Sequence, residues 1–216
     1  MWEYLTDSFN WSGPEGIWAR IIEHIWYTFA ALGISAAIAL PVGLRIGHTR
    51  RWAFLAINLG NAARALPSLG LLMLAVLLTD QIGFLPVLIA LVALGIPPIL
   101  ASTYAGLSGV DPATIDAARG MGMTGREILT KVEIPIAMPL IISGLRGATL
   151  QIVSTATIAA LVSLGGLGRY VVDGLKLRDF PQMFTGALLV ALLAILLDAI
   201  FALIGRITVS AGLRIG

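Results

Sequence analysis

The sequence predicts an all-α integral membrane protein with about five transmembrane helices. Of its 216 residues, 58% are hydrophobic and only 12% are charged, whereas a soluble domain is about 25% charged. Five uncharged or nearly uncharged apolar runs each exceed the roughly 20 residues that a helix needs to cross the hydrocarbon core. Lysine and arginine are also shared unequally between alternate connections, as membrane topology requires.

Taken in order, residues 1–24 mix Trp2, Trp11 and Trp18 with Glu3, Asp7, Glu15 and Glu23, and Trp26 follows. A cleaved signal opens on positive charge and a short apolar core. This stretch reads instead as an extracellular or interfacial segment, where indole rings prefer to sit. The transmembrane domain is expected over 25–208, with a short cytoplasmic tail at 209–216. Its spans run from about Ile25 to Ile46, Ala53 to Thr79, Ile82 to Leu107, Ile136 to Ser163 and Phe184 to Ile204. Pro67, Pro97 and Pro98 fall inside spans and are expected to kink them. Gly43 and Gly47 form a Gly-x-x-x-Gly pair that permits close helix packing. No linker or repeat divides the chain, which reads as one domain.

Arg45, Arg50, Arg51, Arg119, Arg126, Lys131, Arg206 and Arg214 share one side of this topology. Arg20, Arg169, Lys176 and Arg178 share the other. The richer side is cytoplasmic by the positive-inside rule, which puts the N-terminus outside and the C-terminus inside.

Several function classes are excluded early. A net charge of +2 without a basic cluster gives no nucleic-acid footprint. The absence of cysteine excludes disulfides, thiolate chemistry and cysteine-based metal sites. His24 and His48 stand at span ends without a second ligand at metal spacing, so they read as interfacial or loop histidines and no metal site is assigned. Catalysis would need paired carboxylates or a histidine-bearing constellation, and the sequence shows neither.

Three charges lie within spans. Arg64, Arg146 and Asp198 reach overlapping depths near mid-membrane at roughly 1.5 Å per residue. A lone charge there is costly, so Asp198 is expected to pair with Arg146 or Arg64 facing the bundle interior. Such a pair fixes helix register, or alternatively lies beside a translocation path. Pro67 and Ser68, with Arg64 close by, are candidates for lining that path, because a proline frees a backbone carbonyl toward a cavity.

The informative segment joins the third and fourth spans. Asp111-Pro112 starts a helix with an aspartate cap and proline at the first helical position. The helix is expected to run to about Arg119 and to break at Gly120 and Gly122. Thr124 with Glu127 makes a capping box that opens a second short helix, and Pro135 marks where it gives way to the fourth span. The first helix is expected to present a small face of Ala117 and Ala118, which would let another protein approach closely.

The same stretch resembles the signature of binding-protein-dependent ABC importer permeases of the type I fold: Glu-Ala-Ala, three residues, Gly, nine residues, Ile, one residue, Leu-Pro. Asp116-Ala117-Ala118 takes the opening place, Gly122 follows at the same distance, and Val132, Ile134 and Pro135 close it. Asp for Glu and two aliphatic exchanges are the departures. The resemblance implies that Asp116, Ala117, Ala118, Arg119, Gly120, Gly122, Thr124, Glu127 and Pro135 belong to a coupling loop that docks on an ATPase. It implies a pair of ATPases, a second permease (identical or related), an extracellular substrate-binding protein and surrounding lipid. ATP and Mg would be used by the partner, with no cofactor and no catalytic residue in this chain. No Gly-x-x-x-x-Gly-Lys-Ser/Thr sequence occurs, so the loop that cradles ATP phosphates is missing. Gly165-Gly166-Leu167-Gly168 has no following lysine and reads as an extracellular turn.

Arg64-Ala65-Leu66-Pro67-Ser68-Leu69 and Gly165-Gly166-Leu167-Gly168 resemble the subfamily that imports glycine betaine, choline, carnitine and related osmoprotectants. In that subfamily an aromatic cage on the external binding protein selects the quaternary ammonium. An amino-acid importer of the methionine type is the alternative. An ion-coupled secondary transporter would show more spans, internal repeats and an intramembrane carboxylate relay, whereas Asp198 is the one intramembrane carboxylate in these spans.

Overall fold

The computed structural model describes residues 3–52, 54, 58 and 67–208. The described residues are helical throughout, joined by turns. In chain order they are α1 (Glu3–Thr6), a 3-10 turn (Ser8–Trp11), α2 (Ile17–Thr49), α3 (Ser68–Thr79), α4 (Phe84–Ser108), α5 (Pro112–Gly120) and α6 (Gly125–Ile128). A π-helical turn (Leu129–Glu133), α7 (Ile134–Ala156), a 3-10 turn (Thr157–Val162), α8 (Gly168–Leu177) and α9 (Phe180–Thr208) follow among the described residues. Among the described residues, four helical stretches are long and apolar enough to span a bilayer: Ile17–Thr49, Phe84–Ser108, Gly125–Val162 and Phe180–Thr208. They cover the first, third, fourth and fifth expected spans. Of the second, residues 53, 55–57 and 59–66 lie outside the described residues, and α3 is its far end.

Helix α2 shows how a sequence is written for lipid. Its buried stripe is small or polar: His24, Thr28, Ala31, Ser35 and Ala39 are each fully buried. Its outward stripe is large and apolar, with Ile22, Trp26, Phe29, Ile34, Ile38 and Val42 exposed. Lipid is as apolar as leucine, so burying large aliphatics between helices gains little, and close approach through small residues decides the packing.

The chain forms two compact units, one of residues 1–34, 66–95 and 149–198, the other of 35–65, 96–148 and 199–216. The first has a core of Ile17, Val153, Leu167, Tyr170, Leu193 and Leu197. The N-terminal segment is docked on this unit. Trp11 Nε1 donates to the Leu5 carbonyl at 2.8 Å and Asn10 Nδ2 to that of Tyr4 at 3.0 Å. Tyr4 packs edge-on to Tyr170 at 5.8 Å. Burial pushes the Tyr170 phenol up to about 12, so its hydroxyl stays a donor to the Glu15 carbonyl at 2.9 Å.

His24 corrects an expectation. It is fully buried in this unit, not at an interface or in a loop. Its Nε2 lies 3.0 Å from the Val153 carbonyl and its Nδ1 accepts the Leu167 N–H at 3.3 Å. That pairing fixes the tautomer with the proton on Nε2. Beside it the Glu23 carboxylate accepts the Gly166 N–H at 2.7 Å. The Gly-Gly-Leu-Gly turn is therefore pinned from two adjacent residues of α2, and the amphipathic helix α8, which the sequence reading left undivided from its loop, begins at its end.

The second unit is organised by close approach between α2 and α4. A methyl group on Gly43 would lie 2.9 Å from Thr103 Cβ, and one on Gly47 would lie 2.6 Å from Leu107 Cβ. The Gly-x-x-x-Gly pair thus performs the packing its spacing permits. Thr103, fully buried at this crossing, has a hydroxyl with no hydrogen-bond partner among the described residues. Thr103→Val keeps the shape and removes that group. The variant is expected to be more stable by about 1 kcal/mol, read as a higher unfolding midpoint in detergent; an unchanged or lower midpoint would count against it. Pro97 and Pro98 lie inside α4 and Pro67 at the head of α3, where it starts the helix instead of kinking it. A proline ring lacks the N–H that an interior position needs, and the head of a helix needs none.

Candidate functional site

The site is the segment from Val110 to Ile136. Asp111 caps α5 by accepting the Ala113 N–H at 2.9 Å, with Pro112 at the first helical position. The helix ends at Gly120, and the chain turns back through the Gly122 N–H to Arg119 O (2.9 Å) and Met123 N–H to Ala118 O (3.2 Å) bonds. Gly122 has φ +84°, left-handed backbone that costs glycine nothing and other residues about 1 kcal/mol or more. Thr124 and Glu127 form a complete capping box: the Glu127 N–H reaches Thr124 Oγ1 at 3.3 Å and Glu127 Oε2 accepts the Thr124 N–H at 3.0 Å. Lys131 adds a 2.9 Å bond to Glu127. Both helix starts and the glycine elbow stand where the sequence placed them.

Beneath the loop, Val110, Ile115, Ala118 and Ile128 form a small core with Met123, Val132 and Ile136 packed on it. This corrects the face assigned to the alanines. Ala118 is buried in that core and only Ala117 is exposed. Neighbours on a helix diverge by about 100°, so a pair of adjacent alanines cannot share one face. The outward face is Ala113, Thr114 and Ala117, with Asp116, Arg119 and Gly120 beside it and Met121 strongly exposed beyond the end. Asp116 and Arg119 pair across one turn at 3.2 Å, an exposed bond of small worth.

Pro135 is also revised. The second short helix does not stop there. It runs through the π turn Leu129–Glu133 into α7 as one helical stretch. A π turn carries one extra residue in its loop of backbone bonds and so absorbs the donor that proline lacks. The sequence reading overlooked Glu133. Its side chain is only 2% exposed and is hydrogen-bonded to His48 Nδ1, so His48, like His24, has a structural partner. Arg50, with φ +53°, sends Nη2 to the Val110 carbonyl at 3.1 Å.

Of the remaining candidates, Arg64 lies outside the described residues. Pro67 is exposed and Ser68 half-buried at the head of α3. Arg146 is exposed on α7, Asp198 is half-buried on α9, and each has a polar or charged interaction of its own.

A rigid, outward-facing, capped helix of small residues is suited to docking and carries no reactive group. The chain is 34% identical over 192 residues to the glycine betaine/carnitine/choline transport system permease protein OpuCB of Bacillus subtilis (strain 168), covering 89% of this chain and 88% of that one. It is 35% identical over 208 residues to the osmoprotectant import permease protein OsmY of Salmonella typhimurium, covering 92% and 88%. Among solved structures, an inward-facing MetNI methionine ABC transporter chain matches with a TM-score of 0.77 at 24% identity, over 92% of this chain and all of that one. That likeness establishes the helical permease fold. Residues 30–209 match the family described as the binding-protein-dependent transport system inner membrane component, and the chain therefore belongs to that family of multi-pass membrane permeases.

Proposed function

We propose that this chain is the permease subunit of an ATP-driven importer for glycine betaine, choline, carnitine or related quaternary-ammonium osmoprotectants. The observation that carries the coupling half is the loop itself: two capped helices set on the Gly122 elbow, presenting Ala113, Thr114 and Ala117 outward. Small exposed side chains let an ATPase surface approach the α5 backbone, and the caps make α5 stiff enough to transmit displacement. The cargo half rests on relatives at about a third identity over most of their length.

In this proposal an ATPase pair, a second permease and an extracellular binding protein complete the transporter, ATP and Mg are used by the ATPase, and this subunit has no enzymatic activity. The coupling loop and the C-terminal side of α9 face the cytoplasm of a bacterial inner membrane, and the N-terminus lies outside. Pro67 and Ser68 line the path.

The test is uptake of labelled glycine betaine at high osmolarity in cells with and without the gene, with unlabelled choline and methionine as competitors. Energy-dependent uptake should vanish in the deletion and resist methionine. Uptake suppressed by methionine would move the cargo to amino acids, and uptake that persists after ATP depletion would overturn the ATP-driven importer.

A further inference from the structure

A buried carboxylate outside the docking face needs a reason. Glu133 sits at the last position of the π turn, 2% exposed, with its Oε2 on His48 Nδ1. His48 is next to the end of α2, and its ring also lies against the start of α6, where a methyl group on Gly125 would come within 3.6 Å of Nε2. Two residues on, Arg50 Nη2 holds the Val110 carbonyl at 3.1 Å. Val110 immediately precedes the cap of α5, and Glu133 immediately precedes α7. The end of α2 thus holds both the entry and the exit of the loop, and does so through hydrogen bonds that have one direction and one length.

A loop that only had to stay folded would need no such attachment, because its own core of Val110, Ile115, Ala118 and Ile128 and its caps already close it. Burying a carboxylate to reach one histidine costs desolvation, which a well-packed apolar residue would avoid. What the polar contact adds is registry: it couples a displacement of the loop to a displacement of α2, where an apolar contact would slide. The bound atoms also belong to a π turn, a helix segment with one residue in excess that accommodates a shift without breaking the helix.

We propose that His48 and Glu133 are positioning residues that transmit motion of the coupling loop to helix α2, with Arg50 as the second attachment. This rests on the importer function proposed above. The experiment uses the complete transporter (permease, ATPase and binding protein) in liposomes and measures ATP hydrolysed per labelled betaine imported, together with the yield of assembled complex. His48→Ala is expected to raise that ratio about tenfold, the equivalent of one lost charge-assisted hydrogen bond, at unchanged assembly. Glu133→Ala should do the same, and the double variant should add nothing further, because both singles remove one contact. His48→Asn, whose amide nitrogen takes the place of Nδ1, should return within about twofold of wild type.

An unchanged ratio in His48→Ala, or additive effects in the double variant, would overturn the proposal. So would uptake, hydrolysis and assembly falling together, since that is the signature of a purely structural contact. Absence of ATP-dependent uptake by the wild-type transporter would instead overturn the importer reading, and this one with it.

Discussion

Gly122→Val is expected to cut betaine uptake about tenfold to a hundredfold while leaving the protein in the membrane. The elbow holds φ +84°, and a methyl group at Gly122 would meet no atom within 4 Å. The penalty is therefore torsional, and no neighbour can yield to relieve it. A β-branched residue forced into left-handed backbone costs about 1–3 kcal/mol, and the chain can avoid that cost by leaving the conformation. If it does so, the Gly122 and Met123 N–H bonds that terminate α5 are lost, and the outward face of Ala117 turns away from a fixed docking partner. At 1.4 kcal/mol per tenfold, uptake should fall between about tenfold and a hundredfold. Gly122→Asn should fall less, because asparagine tolerates this region. Gly120→Ala, also in open space and without a positive φ, should stay near wild type. Membrane abundance measured beside uptake separates a displaced loop from a lost protein. Equal uptake by Gly122→Val and Gly120→Ala would refute the role of the elbow.

That elbow was legible in the sequence because every device in it is local. Asp111 and Pro112 start a helix, glycine permits a reversal, and Thr124 and Glu127 close a box across one turn; none needs a distant partner. The spans were legible for a similar reason, since apolar length alone defines them. What was missed depends on contacts between residues far apart in sequence. His48 and Glu133 are separated by 85 positions, and His24 and Leu167 by 143. A histidine with no ligand at metal spacing looks idle until its partner is found across the fold. The split roles of Ala117 and Ala118 were within reach of helical periodicity, with Ile115 and Ala118 on the buried side and Ala113 and Ala117 opposite. The motif's alanines were read as a pair, although periodicity alone separates them. Helix α8 went unseen because only ten residues form it, and its polar face broke the apolar run that would have marked it.

Gly168→Ala should be the most destabilising single-methyl substitution in the first unit. The Gly165–Gly168 turn uses its glycines for different reasons. Gly166 has φ +80° and needs conformational freedom. Gly168 lies against backbone: an added methyl would overlap the Thr157 carbonyl oxygen and sit 2.6 Å from Thr157 Cα. Thr157 opens the 3-10 turn and cannot retreat without breaking the hydrogen bond from its own hydroxyl to the Ser154 carbonyl at 2.7 Å. The turn cannot move the other way, because Glu23 holds Gly166 and His24 holds Leu167. Overpacking a site closed on both sides costs about 1–3 kcal/mol, occasionally more, and here loss of a buried hydrogen bond at Leu167 adds about 1 kcal/mol or more. The unfolding midpoint of the purified protein in detergent should drop by several degrees. Gly33→Ala is the control. Gly33 lies within α2, where an added methyl meets nothing within 4 Å, and alanine is the better helix former by up to about 1 kcal/mol, so its midpoint should hold or rise. If both variants unfolded at the wild-type midpoint, the turn would have slack that these contacts deny it, and the anchoring by Glu23 and His24 would have to be weaker than their geometry indicates.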